Sequence, residues 1–417
     1  MTDGARVLSE GDLSRPIMFI GEAPAASEVR FGRPFVGRAG KEQDRLNILA
    51  GIQRDDAFWT NVIGERVPGD EISSFINLAK KPSHEHFIDW VEGRIEEVPA
   101  GVNPRALPYL QELFRDVKAF RGNVIVPLGN VPLWCLTGLA AITKRRGSIL
   151  SAFHKKVVPC MHPSAILRMF STIETRIALF DLLRVKEESK SPQIILPKRE
   201  LIIYPTFESY SAFIEECFEQ TAVGFDIECM KTAEGGKEVS CFALAVSPAR
   251  SMCVPLHSKG RSYWDDSQEV LVFEKLASVL ESKDLTKVGQ NIIFDSSFIY
   301  RKYGILIDPV EDTMIAQSVR YPDSVQKEDS GSMDNVLRES KRKKPHNFRR
   351  GLDFLCHFYT REPYYKDEGK EWGVVGGNQE ADFYRYNAKD AAVVLDILPV
   401  LFERLKLQDK VNKKGAI

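Results

Sequence analysis

The chain has 417 residues, with 57 Lys and Arg against 58 Asp and Glu, a formal net charge of -1. That length predicts two or three domains, and 43% hydrophobic residues exclude a disordered or fibrous protein while leaving nucleic-acid binding to local patches. The opening "MTDGARVLSE" has no charged region followed by an apolar one, no run reaches the length of a bilayer span, and seven dispersed cysteines form no C-x-x-C pair, so the expectation is a reduced, cytoplasmic protein without a membrane partner.

In chain order, "PIMFIG" (16–21) is a short apolar run that reads as a strand. The loop after it, "GEAPAASEVRFGRPFVGRAG" (21–40), crowds four glycines, two prolines and two acids around Phe31 and Phe35, as chains do where backbone approaches a ligand. "FWTNVIG", "NVIVPLG" and "KKVVPCMHP" are further strand-like runs, and "PRALPYLQELFRDVKAF" spaces Leu110, Leu113, Phe114 and Val117 as one helix face. This alternation predicts a parallel α/β sheet with ligand loops at the carboxyl ends of its strands, where residues 21–40, Asn61 and His162 fall.

"KEESKSPQIILPKRE" (186–200) is charged, holds two prolines and reads as a linker, giving a first domain over 1–187, a linker over 188–199 and a second domain over 200–417. The second is again α/β: "LIIYP", a helix over "SAFIEECFEQ", strands in "AVGFDIEC", "CFALAVS" and "SMCVPL", a helix over "EVLVFEKLASVLES", and a long helical pattern from about Asp382 to Leu407.

Asp226 and Glu228 are two apart on a predicted strand, so both side chains point to one face. Two acids on an otherwise apolar strand repel each other, and a bound cation relieves that repulsion. Asp295, in "KVGQNIIFDSSFIY", falls at the start of a helix, and in "YRYNAKDAAVVLDI" Tyr386 and Asp390 lie one helical turn apart.

The ordered set "FDIE", "GQNIIFD", "EDTMIAQ" and Tyr-x-x-x-Asp resembles the tyrosine-bearing branch of the DEDD 3′–5′ exonucleases, above all the proofreading domain of family A DNA polymerases. The resemblance covers residues 200–407. It implies a ribonuclease H-like fold with Asp226, Glu228, Asp295 and Asp390 around two divalent cations, Mg²⁺ or Mn²⁺, which suit hard oxygen ligands. It also implies that Asp226 bridges the metals, that Asp295 acts partly through water, and that Tyr386 with Glu228 orients the attacking water. The product expected is a 5′-mononucleotide released from a single-stranded 3′ end. Between the third and fourth acids, "RESKRKKPHNFRR" (338–350) reads either as a mobile loop or as a phosphate grip through Lys341, Arg342, Lys343 and Lys344.

In the first half, "GEAP....E...G.PFVGRAG" together with "WTNVIGERVPGD", "VIVPLGN" and "VVPCMHPSAILR" resembles the uracil-DNA glycosylases that carry an iron–sulfur cluster, over residues 16–185. A glycosylase reads a flipped base in a closed pocket. The resemblance implies Phe35 as the stacking face, Asn61 as the partner of uracil O4 and N3–H, and His162 as the donor to O2. Glu22 and Glu28 become the candidates for placing water and stabilising the sugar cation. Leu167 and Arg168 would fill the gap left by the base, Gly37 and Gly40 would let backbone approach phosphate, and Arg38 and Ser164 complete the DNA-facing set.

The departures are specific. No C-x-x-C precedes the first motif, Glu65 stands where the resemblance calls for a cysteine, the segment near Ala106 has none, and Cys135 and Cys160 are elsewhere. A cluster needs four thiolates, so none is expected. Ala25 and Ala26 replace a glycine and an acid, which leaves uracil excision open against a module that only binds DNA.

The domain order resembles the front of certain bacteriophage DNA polymerases, which places the protein in a host cytoplasm if a phage encodes it. The expected reading is a 3′–5′ DNA exonuclease fused to a glycosylase-like DNA-binding domain, in replication or repair. It acts free-standing, as a piece of a longer polymerase, or with a DNA polymerase subunit in trans. Three alternatives stay open: a bifunctional enzyme that excises uracil and then degrades the strand, a non-catalytic polymerase accessory, and an RNA-trimming nuclease.

Overall fold

A computed structural model describes residues 5–80, 84–169, 171–231, 236–321, 350–367 and 379–414. Lys341, Arg342, Lys343 and Lys344 lie outside the described residues. The chain separates into two compact units, Met1–Leu196 and Pro197–Ile417. Among the described residues no helix is long and apolar enough to cross a membrane.

The first unit begins β1 (Ile17–Gly21), α1 (Ala26–Phe31), α2 (Arg38–Leu49), β2 (Ala57–Asn61) and α3 (His84–Val91). It continues α4 (Leu107–Ala119), β3 (Val124–Pro127), α5 (Asn130–Thr137) and α6 (Ile142–Arg145). A hairpin of β4 (Leu150–Ala152) and β5 (Lys155–Val157) precedes α7 (Pro163–Met169) and α8 (Thr172–Glu188). The sheet order is β2-β1-β3-β5-β4. β1 pairs in parallel with β2 and β3, with Gly21 opposite Asn61, so the loops that leave both strands start at one edge.

Every residue of β1 is buried, as in a parallel strand covered on both faces. Met18 and Ile20 enter the core that holds Leu110, Leu113, Phe114 and Val117 of α4, while Ile17 and Phe19 enter the opposite core with Leu46 and Trp59. Among the described residues the sheet departs from the expected parallel one at β4, which runs antiparallel to β5, and at an isolated antiparallel bridge between Glu10 and Trp59 of β2. At three residues, one of them exposed, β4 carries too little apolar pattern to read in advance.

The second unit begins β6 (Glu200–Ile202), α9 (Phe207–Phe218), β7 (Ala222–Lys231), β8 (Lys237–Ser247) and β9 (Arg250–Pro255). A small ribbon of β10 (His257–Ser258) and β11 (Arg261–Ser262) leads to α10 (Asp266–Glu281), β12 (Thr286–Gly289) and α11 (Ile292–Tyr303). Then come β13 (Val310–Asp312), α12 (Thr313–Arg320), α13 (Leu352–Tyr359) and α14 (Glu380–Lys414). The mixed sheet has the order β13-β12-β7-β8-β9-β6, with β7, β8 and β9 antiparallel and β12 and β13 parallel to β7.

Alternation along β7 sorts its side chains. Phe225 and Ile227 join the core made with α9 and α10, through Tyr210, Phe213 and Leu276. Gly224, Asp226 and Glu228 face the side that α14 covers. That side is built from small residues: Ala243, Ala245 and Cys253 of the sheet meet Ala388, Ala391 and Ala392 of α14. The fit is close enough that a Cβ on Gly224 would lie 1.8 Å from the Ala391 carbonyl oxygen.

Candidate active site

The two strand acids and the two helix acids converge in the second unit. Carboxylate oxygens of Asp226, Glu228 and Asp390 lie within 4.8 Å of one another. Asp226 and Glu228 share a face because they are two apart on β7, and Asp390 reaches them because α14 packs directly on that face. Asp295 sits in the first turn of α11, where its Oδ1 accepts the Ile227 main-chain N–H at 3.0 Å. Tyr386, one turn before Asp390, lines the same cleft as Asp226, Glu228 and Asp390.

Burial and crowding of like charge act together here. Burial, followed by the charges of Asp390, Asp295 and Glu228, pushes the Asp226 carboxyl well above the usual range. Burial and then Asp390 push Glu228 up to about 7, and burial is also the main reason that Asp295 rises to about 7. Burial, then Asp390, holds the Tyr386 hydroxyl far above its ordinary value, so it remains a proton donor. A donor set made only of clustered carboxylate oxygens fits hard divalent cations such as Mg²⁺ or Mn²⁺.

Four further residues contact this cluster or its supports: Asp312 from the "EDTMIAQ" stretch, Asn387 from within Tyr-x-x-x-Asp, and Tyr365 and Lys366 from outside any motif. Asn387 donates its Nδ2 to Asp226 Oδ2 at 2.7 Å, and the Tyr365 hydroxyl donates to Asp390 Oδ1 at 2.6 Å. Lys366 pairs with Asp390 Oδ2 and donates to the Tyr386 hydroxyl oxygen at 3.1 Å. Asp312 accepts the main-chain N–H groups of Asn291 at 3.0 Å and Ile292 at 3.1 Å, while capping α12 through Met314 at 2.8 Å. It thereby fixes the turn from which α11 presents Asp295. The "EDTMIAQ" stretch was the only hint of Asp312; Tyr365 and Lys366 come from a segment with no helical or strand pattern.

In the first unit the expected pocket residues meet in two places. Asn61 and Phe35 converge on Gly21, where an added Cβ would lie 2.4 Å from Asn61 Oδ1 and 2.6 Å from Phe35 Cζ. Phe35 is buried, with its ring 5.2 Å from that of Trp59. Glu22 and His162 converge instead on Gly129, whose Cβ would lie 3.2 Å from Glu22 Oε1 and 3.2 Å from His162 Cβ. Those two line a cleft with Ser164, Arg168 and Asn130.

His162 is set up as a neutral donor. Its Nδ1 accepts the Ser164 main-chain N–H at 3.2 Å and lies 2.7 Å from the Ser164 hydroxyl. An Nδ1 that accepts leaves the proton on Nε2. Burial, then the positive charge of Arg168, lowers the imidazole to about 4, so it stays uncharged near neutrality. Burial raises the Glu22 carboxyl, against the pull of Arg168 and of the Val131 N–H.

Three of the expected residues are engaged within their own loop. Glu28 is buried and accepts the Gly37 N–H at 2.7 Å and the Ala25 N–H at 3.2 Å, so it fastens its own loop rather than facing a substrate. At Gly37 a Cβ would lie 2.8 Å from Glu28 Oε1, so that carboxylate would have to give way. Gly40 is required by the loop's backbone: its Cβ would lie 1.9 Å from the Phe35 carbonyl oxygen. Gly40 therefore serves internal packing. Arg38 opens α2 at the exposed surface, and on α7 Leu167 is half-buried while Arg168 is exposed. Glu65, at the expected cysteine position, takes a hydrogen bond from Tyr109, and Arg6, bridged to Glu65 through the backbone, pairs with Glu112.

Comparison with known proteins agrees with this division. Residues 8–183 match the uracil DNA glycosylase superfamily, and residues 202–406 match the 3′–5′ exonuclease domain of A-type DNA polymerases. The type-4 uracil-DNA glycosylase of Thermotoga maritima is 33% identical over 183 residues, covering 43% of this chain and 81% of that protein. The DNA polymerase of Bacillus phage SP01 is 22% identical over 336 residues, which are 75% of this chain and 33% of the polymerase. This chain thus spans about a third of that relative. Among solved structures, Escherichia coli RNase D aligns with 50% of this chain and 46% of its own, at 16% identity and a TM-score of 0.35.

Proposed function

The chain belongs to the uracil DNA glycosylase superfamily through its first unit and carries a 3′–5′ exonuclease domain as its second, and from that premise we propose that it removes nucleotides from the 3′ end of DNA at the Asp226–Glu228–Asp295–Asp390 cluster. The observation that carries the reading is the convergence of Asp226, Glu228 and Asp390 oxygens within 4.8 Å, beside Tyr386. Bound there, divalent cations supply a hydroxide for attack and neutralise charge at the leaving 3′ oxygen.

Asp226, Glu228 and Asp390 would hold the cations, with Asp295, which anchors the Ile227 N–H, adding its charge beside them. Tyr386, kept protonated, donates to the attacking oxygen, and Glu228 orients that oxygen from the strand. The oxygen bonds to phosphorus, the P–O3′ bond breaks, and the 3′ oxygen leaves with a proton on the shortened strand. The product is a 5′-mononucleotide.

The first unit is proposed as a DNA-binding module without an iron–sulfur cluster. Its two cysteines, Cys135 and Cys160, are buried, and burial pushes both thiols up, away from the thiolate a cluster requires. Replication or repair of DNA is the proposed setting, with the polymerase function supplied by a longer chain or a partner. A second reading, uracil excision, is favoured by one observation: His162 Nε2–H and Glu22 share a cleft.

One assay tests both. Single-stranded DNA labelled at the 5′ end and carrying a central uracil is incubated with Mg²⁺, or with EDTA followed by hot alkali. A ladder shortening from the 3′ end only with Mg²⁺ supports the exonuclease, and its absence refutes it. A break at uracil in the EDTA arm supports excision, since glycosidic cleavage needs no metal.

A further inference from the structure

We propose that Lys366 is a positioning residue of the exonuclease site: it fixes Tyr386 as a hydrogen-bond donor and competes with divalent cations for Asp390. The proposal rests on the exonuclease reading above.

The Lys366 side chain is only 16% exposed, and its Nζ meets Asp390 Oδ2 and, at 3.1 Å, the Tyr386 oxygen. The same nitrogen lies 4.7 Å from the centre of the Tyr386 ring and 5.3 Å from that of Tyr365. Tyr365 in turn donates to the other oxygen of Asp390 at 2.6 Å. Lys366 is thus enclosed by two aromatic faces and one carboxylate rather than waving at the surface, where such pairs contribute little.

Two consequences follow from the chemistry of an ammonium. It has three donors and no lone pair, so the Tyr386 oxygen it touches must act as acceptor. The phenol's own proton then remains the donor, given to Asp390 in the metal-free site and turned to the oxygen that attacks phosphorus when substrate is bound. Second, a unit positive charge already sits on one of the three clustered carboxylates. A cation drawn to Asp226, Glu228 and Asp390 meets that charge at close range, in a partly desolvated cleft where it is weakly screened.

The test is calorimetric titration of Mn²⁺ into wild type, Lys366→Met, Lys366→Arg and Asp226→Ala without DNA, beside turnover on saturating single-stranded DNA. Lys366→Met should bind Mn²⁺ on the order of tenfold more tightly, as removal of one nearby competing charge implies. Its turnover should fall by roughly tenfold, the scale of losing an outer-shell partner, with KM for DNA unchanged. Lys366→Arg, which keeps the charge and the donors, should restore the wild-type metal affinity and recover turnover. Unchanged or weaker Mn²⁺ binding, or unchanged turnover, in folded Lys366→Met overturns the proposal. Should that variant not fold, the ¹⁵N resonance of the wild-type Lys366 ammonium is followed during Mg²⁺ titration; a shift supports the competition and no shift overturns it. Failure of the exonuclease reading shows separately, as Asp226→Ala binding Mn²⁺ as wild type does.

Discussion

Asp295 and Ile227 are joined by a 3.0 Å hydrogen bond from the Ile227 main-chain N–H to Asp295 Oδ1, and Ile227 is the residue between Asp226 and Glu228. The third acid of the cluster therefore holds the strand that carries the first two. Asp295→Asn keeps an acceptor and should preserve the fold, while turnover drops by roughly 100-fold from the lost charge. Asp295→Ala leaves a buried N–H unpaired and should cost in addition about 1–3 kcal/mol. Urea denaturation of the two variants separates these effects; equal stabilities would refute the anchoring role.

The raised carboxyls set a pH dependence. Glu228 and Asp295 reach about 7 through burial, so without metal the folded protein binds protons that the unfolded chain releases near the ordinary carboxyl range. Their contribution to stability is fully present below that range and is lost as pH rises through about 7. Metal-free protein should thus melt at a lower temperature at pH 8 than at pH 6. Divalent cations, which need the deprotonated groups, should bind more tightly across the same rise and release protons as they bind. Calorimetry in buffers of different ionisation enthalpy measures that release; its absence at pH 6.5 would contradict the shifted values.

His162 should remain neutral, with its proton on Nε2, down to about pH 4, since burial and Arg168 both oppose its charging. Nitrogen NMR of the imidazole reads the tautomer and the titration directly. A midpoint between 6 and 7, or a proton on Nδ1, would remove His162 as a neutral donor toward a pyrimidine.

Gly40 and Gly32 should respond differently to alanine. At Gly40 the new Cβ would lie 1.9 Å from the Phe35 carbonyl oxygen, so α2 would have to shift; a loss of about 3 kcal/mol or more is expected. Gly32 has nothing within 4 Å of an added Cβ but a φ of +64°, so only the backbone cost of about 1 kcal/mol applies. Thermal melts of the two variants check the ranking, and an unaffected Gly40→Ala would undo the packing argument.

The legible parts of the site share a cause. Asp226 and Glu228 showed because a two-residue spacing on a strand fixes a face, and Tyr386 with Asp390 because four residues on a helix do the same. The helix face of Leu110, Leu113, Phe114 and Val117 showed for that reason too, and all four are buried. Lys366 and Tyr365 did not, since what matters in them is Asp390, a partner far along the chain; for Asp312 the stretch showed but its partners Asn291 and Ile292 did not. Glu28, Gly37 and Gly40 have contacts that the sequence did not show. Their chemistry suits a ligand loop, yet each is engaged by the loop's own backbone or side chains. The antiparallel strand Leu150–Ala152 was missed because three residues hold too little periodicity.

The missing side chain of Gly224 has a wider consequence. With only 1.8 Å between its would-be Cβ and the Ala391 carbonyl oxygen, strand and helix touch backbone to backbone, next to Asp226 and Asp390. No flexible group lies between them that could lengthen or shorten the gap. The spacing of Asp226 from Asp390 is therefore set by main-chain contact, and a slide of α14 along β7 would carry Asp390 and Tyr386 with it. Polymer geometry, not side-chain adjustment, thus fixes the distance across which the cluster must hold its charge.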